Sequence, residues 1–356
     1  TINSSVLDSD GNLISNPKLT SWKPIGTSYN SSFKGTFDGG GHTISGLYFN
    51  DSKKNYDGLF GYVGEGGTVK NVTITDSYVS GSRCVGGICG NNNGIVQDCT
   101  SGCTVKGTDD FTGGIGGFNN FGSLKNCHNT GKVSGNTDVG GVCGYNEYGI
   151  LQESYNTGEV SGNTYVGGVC GQIHGGTVKR CYNTGEVSGE SNVGGVCGCN
   201  ISGAVQESYN TGAVTGKSQV GGVCGGTSST GCYYLDTSGT DSKGGISKTL
   251  AEFQSGEVAF LLQKALDDAA TESAPAPQVW GQKLNTDDYP KLSSDDRVYQ
   301  TTTCTGGYSN SENQPLDHNY VDGICSRCGD LQQAKDVGNN CYEISNQGQL
   351  YWFANQ

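Results

Sequence analysis

The sequence contains no methionine, six prolines and four histidines, and charged residues make up 15% of its 356 positions. No run of about 18 apolar residues occurs, so a membrane-spanning helix is not expected, and no secretory signal opens the chain. The H-E-x-x-H motif and the nucleophile elbow are missing, so no motif supports a zinc peptidase or a serine hydrolase. Because residue 1 is Thr and methionine is absent, we expect a piece of a larger multidomain chain.

The charge balance argues against a second group of functions. The chain has 21 basic and 34 acidic residues and a net charge of −13. This excess of negative charge repels nucleic-acid phosphates and anionic lipids. We therefore expect neither nucleic-acid binding nor membrane insertion, and the acidic, polar composition favours an extracellular setting.

Glycine is abundant, at 61 positions, and much of it recurs with a period of about 27 residues. Glycines at this interval occupy positions 87, 114, 141, 168, 195 and 222. The residue after each is aliphatic: Ile88, Ile115, Val142, Val169, Val196 and Val223. A strict period of this length is the signature of a solenoid, in which each repeat packs on its neighbours.

Composition selects the kind of solenoid. Interior glycines destabilise helices by about 1 kcal/mol each relative to alanine, which argues against helical repeats. Each repeat holds three β-type runs, such as 158–162, 166–171 and 177–181, separated by Gly, Asn and Ser. Three strands and three corners describe one rung of a parallel β-helix. We predict an all-β fold with about 27 residues per rung and seven or so rungs.

The 16 cysteines follow the same period. Cys143, Cys170, Cys197 and Cys224 would stack with parallel Cα–Cβ bonds, which suits a disulfide poorly, so we interpret them as small buried hydrophobic residues. A second column alternates cysteine with serine: Cys99, Cys127, Ser154, Cys181 and Ser208. Three cysteines lie outside both columns and are the stronger candidates for disulfides: Cys84, Cys103 and Cys199.

An Asn-Thr-Gly step also recurs in the repeats, with Asn129, Asn156, Asn183 and Asn210 spaced by 27. Stacked asparagines can hydrogen-bond along their own column, and asparagine tolerates left-handed backbone angles at a corner. A structural role is one interpretation. The other is a flat recognition face for a sugar or an ordered lattice, formed by the neighbouring threonines or by Tyr155, Tyr182 and Tyr209.

Several linked motifs carry a family resemblance over roughly residues 20–292. W-K-P-I-G at 22–26 precedes F-K-G-T-F-D-G-G-G-H-T-I-S-G-L-Y-F at 33–49, and G-L-F-G follows at 58–61. This order resembles the GLUG-repeat surface domains of bacteria, whose motif recurs here as G-I-C-G at 87–90 and G-V-C-G at 141–144. The resemblance implies a right-handed parallel β-helix in large secreted or wall-attached proteins, where such repeats also accompany adhesins and IgA-specific metallopeptidases. It implies no catalytic residues.

After the repeats the pattern changes to helical spacing over 249–270, broken near Ser255 and Gly256. An open solenoid end exposes strand edges and apolar side chains, so we predict that this helix pair is a C-terminal cap. The expected organisation is a β-rich N-terminal start (1–57), the repeat solenoid (58–235), the helical cap with a closing strand region (236–300), a small Cys/His module (301–333), and a linker leading into a further repeat domain (334–356).

The Cys/His module offers four metal ligands: Cys304, His318, Cys325 and Cys328. Three thiolates and one imidazole suit tetrahedral zinc, and the C-x-x-C spacing lets two sulfurs reach one ion. A disulfide involving Cys304 or Cys341, or free thiols, are the alternatives. A structural zinc ion is the one cofactor the sequence suggests.

A pair of carboxylates is the remaining candidate for catalytic residues in this sequence. Glu159 and Glu186 lie one repeat apart and would stack, but Lys132 and Ala213 share their column, which is typical of a solvated face. The acidic pairs 109–110 and 287–288 and the stretch 236–241 could bind calcium, but we favour the interpretation that they are charges of solvated loops. We predict a non-catalytic surface or secreted module for adhesion or spacing, with a host glycan or protein as its ligand. The alternatives are an accessory domain of a secreted protease or carbohydrate-active enzyme, and a polysaccharide-cleaving β-helix.

Overall fold

The protein is represented by a computed structural model that describes residues 2–15, 18–226, 228–239, 245–271, 273–301, 307–312, 320–325, 331–338 and 341–355. It forms two compact units, Thr1–Leu250 and Ala251–Gln356. The finer division into five segments stays a prediction.

The first unit is a parallel β-solenoid of about seven rungs with about 27 residues each, as predicted. Its strands form three parallel sheets, here called sheets I, II and III. The strands of sheet I are Thr36–Asp38, Thr43–Ser45, Tyr48–Asn50, Thr68–Lys70, Thr73–Gly81, Ile95–Gly107, Ser123–Asn129, Val133–Ser134, Ile150–Gln152, Tyr155–Asn156, Val160–Ser161, Thr177–Lys179, Tyr182–Asn183, Val187–Ser188, Ala204–Gln206, Tyr209–Asn210, Val214–Thr215, Tyr233–Leu235 and Ile246–Lys248. Those of sheet II are Val85–Gly86, Asp110–Gly113, Thr137–Gly140, Thr164–Gly167, Ser191–Gly194 and Ser218–Gly221. Those of sheet III are Phe60–Val63, Cys89–Asn92, Gly116–Asn120, Cys143–Glu147, Cys170–His174 and Cys197–Ile201.

The register between rungs equals one full repeat, so Val139 pairs with Val166 and Val166 with Val193. The strand predicted over 166–171 is wrong in its bounds, because the chain turns from sheet II to sheet III at Gly168. A Cβ atom there would lie 2.1 Å from the Gly195 carbonyl oxygen. Glycine at this corner is therefore a steric requirement of the next rung.

Two apolar cores run through the solenoid. The main core contains the aliphatic residues that follow the repeat glycines together with both cysteine columns. A smaller second core is formed by Val133, Val139, Val160, Val166, Val187, Val193 and Val214. Packing of identical side chains from rung to rung is what buries the apolar surface that a single rung would leave exposed.

The cysteine columns behave as predicted. Cys143 pairs with Cys170, and Cys170 with Cys197, and each is fully buried in the main core. In the second column the Ser154 hydroxyl accepts a hydrogen bond from the Cys127 backbone N–H at 3.0 Å. The expectation that Cys84, Cys103 and Cys199 form disulfides is wrong, since all three are free thiols.

The asparagine column forms an internal ladder. Asn129 Nδ2 donates to Asn156 Oδ1, and Asn156 Nδ2 to Asn183 Oδ1, each at 2.8 Å. The amides fill the space beside the repeat glycines, where a Cβ on Gly141 would lie 2.3 Å from Asn156 Cγ. These asparagines do not have left-handed backbone angles. The left-handed residues belong to other columns, such as the one at positions 126, 153, 180 and 207. The predicted structural role is confirmed, and the predicted backbone reason is wrong.

The N-terminal residues take part in the solenoid. Thr36–Asp38 pairs in parallel with Thr68–Lys70, so this part of the chain is already a rung. The preceding segment crosses several rungs: Ile2 N–H donates to the Ser45 carbonyl at 2.8 Å, and Thr104 Oγ1 donates to the Gly11 carbonyl at 2.6 Å.

Two helices follow the solenoid in sequence: α1 (Leu250–Gln254), which starts at the last residue of the first unit, and α2 (Glu257–Ala269). They are separated at Gly256, as the sequence indicated. The buried Gln263 side chain of α2 accepts hydrogen bonds from the backbone N–H groups of Val279 and Trp280. The remaining strands pair in antiparallel fashion: Trp280–Gly281 with Lys291–Leu292, Tyr299–Gln300 with Tyr308–Ser309, Tyr320–Val321 with Ile324–Cys325, and Lys335–Gly338 with Cys341–Glu343.

A third helix, α3 (Gln347–Ala354), follows, with the Asn346 side chain accepting from the Gln349 N–H at its start. The role of α1 and α2 as a cap stays a prediction. Within the described ranges, every helix is too short or too polar to cross a bilayer.

Candidate functional site

The aromatic column predicted from the sequence is a stacked ladder along sheet I. His128 stacks on Tyr155 with ring centroids 4.0 Å apart, Tyr155 on Tyr182 at 4.7 Å, and Tyr182 on Tyr209 at 5.1 Å. The planes differ by 20° or less. Parallel strands in register place these rings directly over one another, and each ring covers the face of the next.

Burial governs the electrostatics of this aromatic ladder. It lowers the pKa of His128 to about 4, because an imidazolium loses its hydration among packed rings. Burial also raises the pKa of Tyr155 and that of Tyr182. With ring faces occupied by neighbours, the ladder leaves mainly ring edges for a ligand. The geometry therefore favours the structural role over recognition.

The carboxylate column lies on an open face. Glu159 is paired with Lys132, with Oε2 and Nζ 3.8 Å apart, and Glu186 is exposed. Lys132 and Glu159 also line a groove of about 290 Å³ beneath the N-terminal segment at Gly11. Both glutamates are exposed, as a solvated face predicts, and Lys132 lies beside Glu159.

The acidic pairs considered as calcium sites are engaged in other contacts. Asp110 faces Arg83, with Oδ2 and Nε 3.9 Å apart. Asp287 Oδ2 accepts from the Lys283 backbone N–H at 3.0 Å, and Asp288 Oδ1 accepts from Gln254 Nε2 at 2.8 Å. Across the part of the chain that the structure describes, no three His, Cys, Asp or Glu side chains gather as a metal site would require.

The predicted zinc ligands fall outside this description. Cys304, His318 and Cys328 lie in the ranges the structure does not describe, and Cys325 is described by its backbone alone, in the hairpin strand Ile324–Cys325. Structural zinc therefore stays a prediction. Metal analysis of the purified chain tests it, and zinc well below one ion per chain would contradict it.

Two buried carboxyl groups were not anticipated. Asp57 pairs with Val85 in a column that valine and threonine occupy in later rungs, and desolvation raises its pKa to about 7. Asp138 sits at a left-handed corner, and burial raises its pKa to about 7 as well. Oδ2 of Asp57 and Oδ1 of Asp138 have no hydrogen-bond partner among the described residues. Both groups favour the protonated form inside the fold.

A second asparagine ladder and an aromatic corner were also missed. Asn92 Nδ2 donates to Asn119 Oδ1 at 2.8 Å, and Asn119 Nδ2 to Asn146 Oδ1 at 2.7 Å, all fully buried. Near this ladder Phe121 and Tyr148 occupy one corner column with ring centroids 5.1 Å apart. The same repeat spacing that revealed the first ladder would have revealed both features.

Comparison with known proteins finds one motif match and similarity to parts of two longer proteins. The GLUG motif matches residues 162–188. A 95-residue stretch covering 27% of the chain is 38% identical to halomucin of Haloquadratum walsbyi, of which it spans 1%. A 96-residue stretch covering 26% of the chain is 36% identical to an Evansella cellulosilytica protein provisionally named a Gly-rich membrane protein, of which it spans 11%. The chain thus matches a small part of each of these relatives.

The comparison with solved structures also gives a similar chain. It belongs to a Bacteroides ovatus protein provisionally described as an immunoglobulin A1 protease. The two chains superpose with a TM-score of 0.47 and 19% sequence identity, over 79% of this chain and 83% of that chain.

Proposed function

Because the chain carries the GLUG motif on a parallel β-solenoid, we propose that it is a non-catalytic module of a bacterial cell-surface or secreted protein, with a role in adhesion or spacing. The observation that supports this most is the repetition of outward-facing side chains in register along the rungs. Stacked repeats generate extended surfaces that suit contact with large partners. The internal columns meanwhile satisfy their hydrogen bonds within the fold.

The extracellular location is part of this proposal. A chain with a net charge of −13 and 15% charged residues carries little to hold nucleic acid. One relative is provisionally named a membrane protein. A host glycan or a host protein is the ligand class we propose for an adhesive role.

A second candidate is an accessory domain of a larger secreted protease or carbohydrate-active enzyme. It is favoured by the small fraction of the curated relatives that the matching stretches span. In that case the active site lies elsewhere in the longer protein. Cleavage of polysaccharide by the solenoid itself would require reducing ends to appear from glycans, and this release to be lost in Glu159→Gln or Glu186→Gln.

Two measurements test the main proposal. Antibodies against the purified chain should label intact, unpermeabilised cells of the organism or react with its culture medium. The chain should also retain ligands on an array of glycans and matrix proteins. Labelling that requires permeabilised cells contradicts the location, whereas surface labelling with an entirely blank array leaves the spacer role and removes the adhesive one.

A further inference from the structure

A groove of about 330 Å³ follows the corner between sheets III and I across several rungs. Its lining includes four large apolar side chains: Phe121, Tyr148, Ile95 and Ile150. These four side chains are 68%, 49%, 42% and 44% exposed, in that order. Large apolar side chains gathered at one exposed place are unusual unless they serve a contact.

The two aromatic residues occupy a backbone conformation that does not suit them. Phe121 has φ 56° and Tyr148 has φ 50°, in the left-handed region that bulky L-residues rarely adopt. The next two rungs place Gly175 (φ 65°) and Ser202 (φ 59°) at the same corner. The fold itself is therefore satisfied by small residues here. Left-handed aromatic residues also occur at Phe111 and Tyr165, so what distinguishes the corner at Phe121 and Tyr148 is the exposure of its rings.

The lining of the groove includes glycines that close packing between rungs requires, among them Gly94 and Gly122. A Cβ atom on Gly94 would lie 2.3 Å from the Gly67 carbonyl oxygen, and one on Gly122 would lie 2.5 Å from Asn92 Nδ2. Asn119 Nδ2 donates to the Gly122 carbonyl at 3.1 Å, and Asn92 Nδ2 donates to the Ser123 carbonyl at 3.2 Å. The buried second asparagine ladder thus fixes the corner before any ligand arrives, which reduces the entropy cost of binding.

The chemistry of the lining indicates the ligand. Besides the four apolar side chains and the glycines, the lining contains Thr68, Asn93 and Ser123, and no charged side chain belongs to this described set. A groove without cations, in a chain of net charge −13, is unsuited to phosphate, sulfate or carboxylate groups. Flat aromatic and aliphatic surfaces beside hydroxyl and backbone groups instead match the apolar face and the hydroxyl edge of a sugar ring.

We propose that this groove binds a neutral oligosaccharide. Because Phe121 and Tyr148 stack on each other with ring centroids 5.1 Å apart, a sugar ring packs against Phe121, which is 68% exposed, and a neighbouring unit packs against the edge of Tyr148. Rungs repeat at about 4.8 Å, close to the length of one sugar unit in an extended chain, so successive rings can meet successive rungs. The proposal deepens the adhesive role proposed above and rests on it, since it names the class of partner and the surface that holds it.

The test uses the full chain and four probes of equal length. Neutral tetrasaccharides of glucose and of galactose are titrated by calorimetry and by saturation-transfer NMR, beside a sulfated and a sialylated tetrasaccharide. Phe121→Ser and Tyr148→Gly, which copy Ser202 and Gly175 of the same corner, should each weaken neutral-sugar binding at least tenfold. Tyr29→Ser removes an aromatic side chain that is 73% exposed outside the groove and should leave binding unchanged.

Because the variants introduce residues the solenoid already accepts, they should keep the wild-type circular dichroism spectrum. Absence of binding to both neutral sugars, stronger binding to the acidic ones, or unchanged affinity in both corner variants would each overturn the groove proposal. Neutral-sugar binding that survives both substitutions would leave the adhesive role intact and move its site. If the array retains only matrix proteins, the adhesive role likewise stays and its binding site lies outside this groove.

Discussion

His128 replaces the tyrosine of its column, and this single difference gives the aromatic ladder a titratable group. Burial lowers its pKa to about 4, whereas an unfolded histidine titrates near 6.5. The unfolded chain therefore takes up a proton first as the pH falls. Stability from the neutral imidazole is present above about pH 6.5 and is lost as the pH falls towards 4.

We predict that His128→Tyr removes this dependence. Between pH 7 and pH 4.5 the wild-type chain should lose about 2 kcal/mol of unfolding free energy more than the variant does. Urea unfolding at the two pH values measures the difference. Parallel losses in the two proteins would show that His128 is hydrated in the fold.

Asp57 acts in the opposite direction. Its pKa is raised to about 7, so the stability it contributes is present at low pH and is lost as the pH rises from about 4 through 7. The strand register pairs it with Val85, and Thr112 and Val139 continue the same column.

We predict that Asp57→Val stabilises the chain more at pH 8 than at pH 4, by about 2 kcal/mol. Asp57→Thr, which copies Thr112, is the matched variant and should share the same pH trend. Chemical denaturation at both pH values is the measurement. A gain that is independent of pH would mean that the carboxyl group is already solvated.

At the scale of elements, the asparagine ladders connect adjacent rungs by side-chain hydrogen bonds. Asn183 Nδ2 donates to the Gly185 carbonyl at 2.7 Å and to Asn210 Oδ1 at 2.8 Å, and its own oxygen accepts from Asn156. Each amide is fully buried, so removing one leaves its neighbours unsatisfied.

Asn183→Ala should therefore lower the unfolding free energy by about 2 to 4 kcal/mol. The chain supplies its own control, because Asn163 Nδ2 donates to Asn136 Oδ1 at 2.7 Å across one repeat in the same way but in an exposed position. Asn163→Ala should cost less than about 1 kcal/mol. Equal losses, measured by thermal and urea unfolding, would contradict a role for burial.

At the scale of the whole molecule, the repeat makes length adjustable in units of one rung. Thr164 and Ser191 are register partners, so excising residues 164–190 joins two equivalent positions. Each rung contacts its neighbours, and stability in such arrays is close to a sum over rungs and interfaces.

Deleting residues 164–190 should preserve the β-sheet circular dichroism spectrum and lower the denaturant m-value in proportion to the surface lost. Deleting residues 164–177 removes about half a rung and misaligns every later column, so this variant should lose cooperative unfolding. Cooperative folding of the half-rung variant would refute the register that connects the rungs.

The sequence determined the periodic part of this protein. A constant repeat length places identical side chains over one another, so the parallel β-solenoid, the buried thiol columns and the first asparagine ladder followed from counting. The helices over 250–269 followed from apolar spacing in the same way. Such patterns can be recognised in the sequence because equivalent residues of successive repeats occupy the same environment in the fold.

Only the tertiary structure decided which contacts form between repeats and at the corners where the chain passes from one sheet to the next. It showed that Cys84, Cys103 and Cys199 are free thiols, that Asp57 enters a column of valine and threonine, and that Phe121 and Tyr148 border a groove. The repeat spacing determines which residues stack. The direction of a side chain depends instead on whether its corner residue has left-handed backbone angles and on how much space the adjacent rung leaves. Those are properties of the assembled rungs.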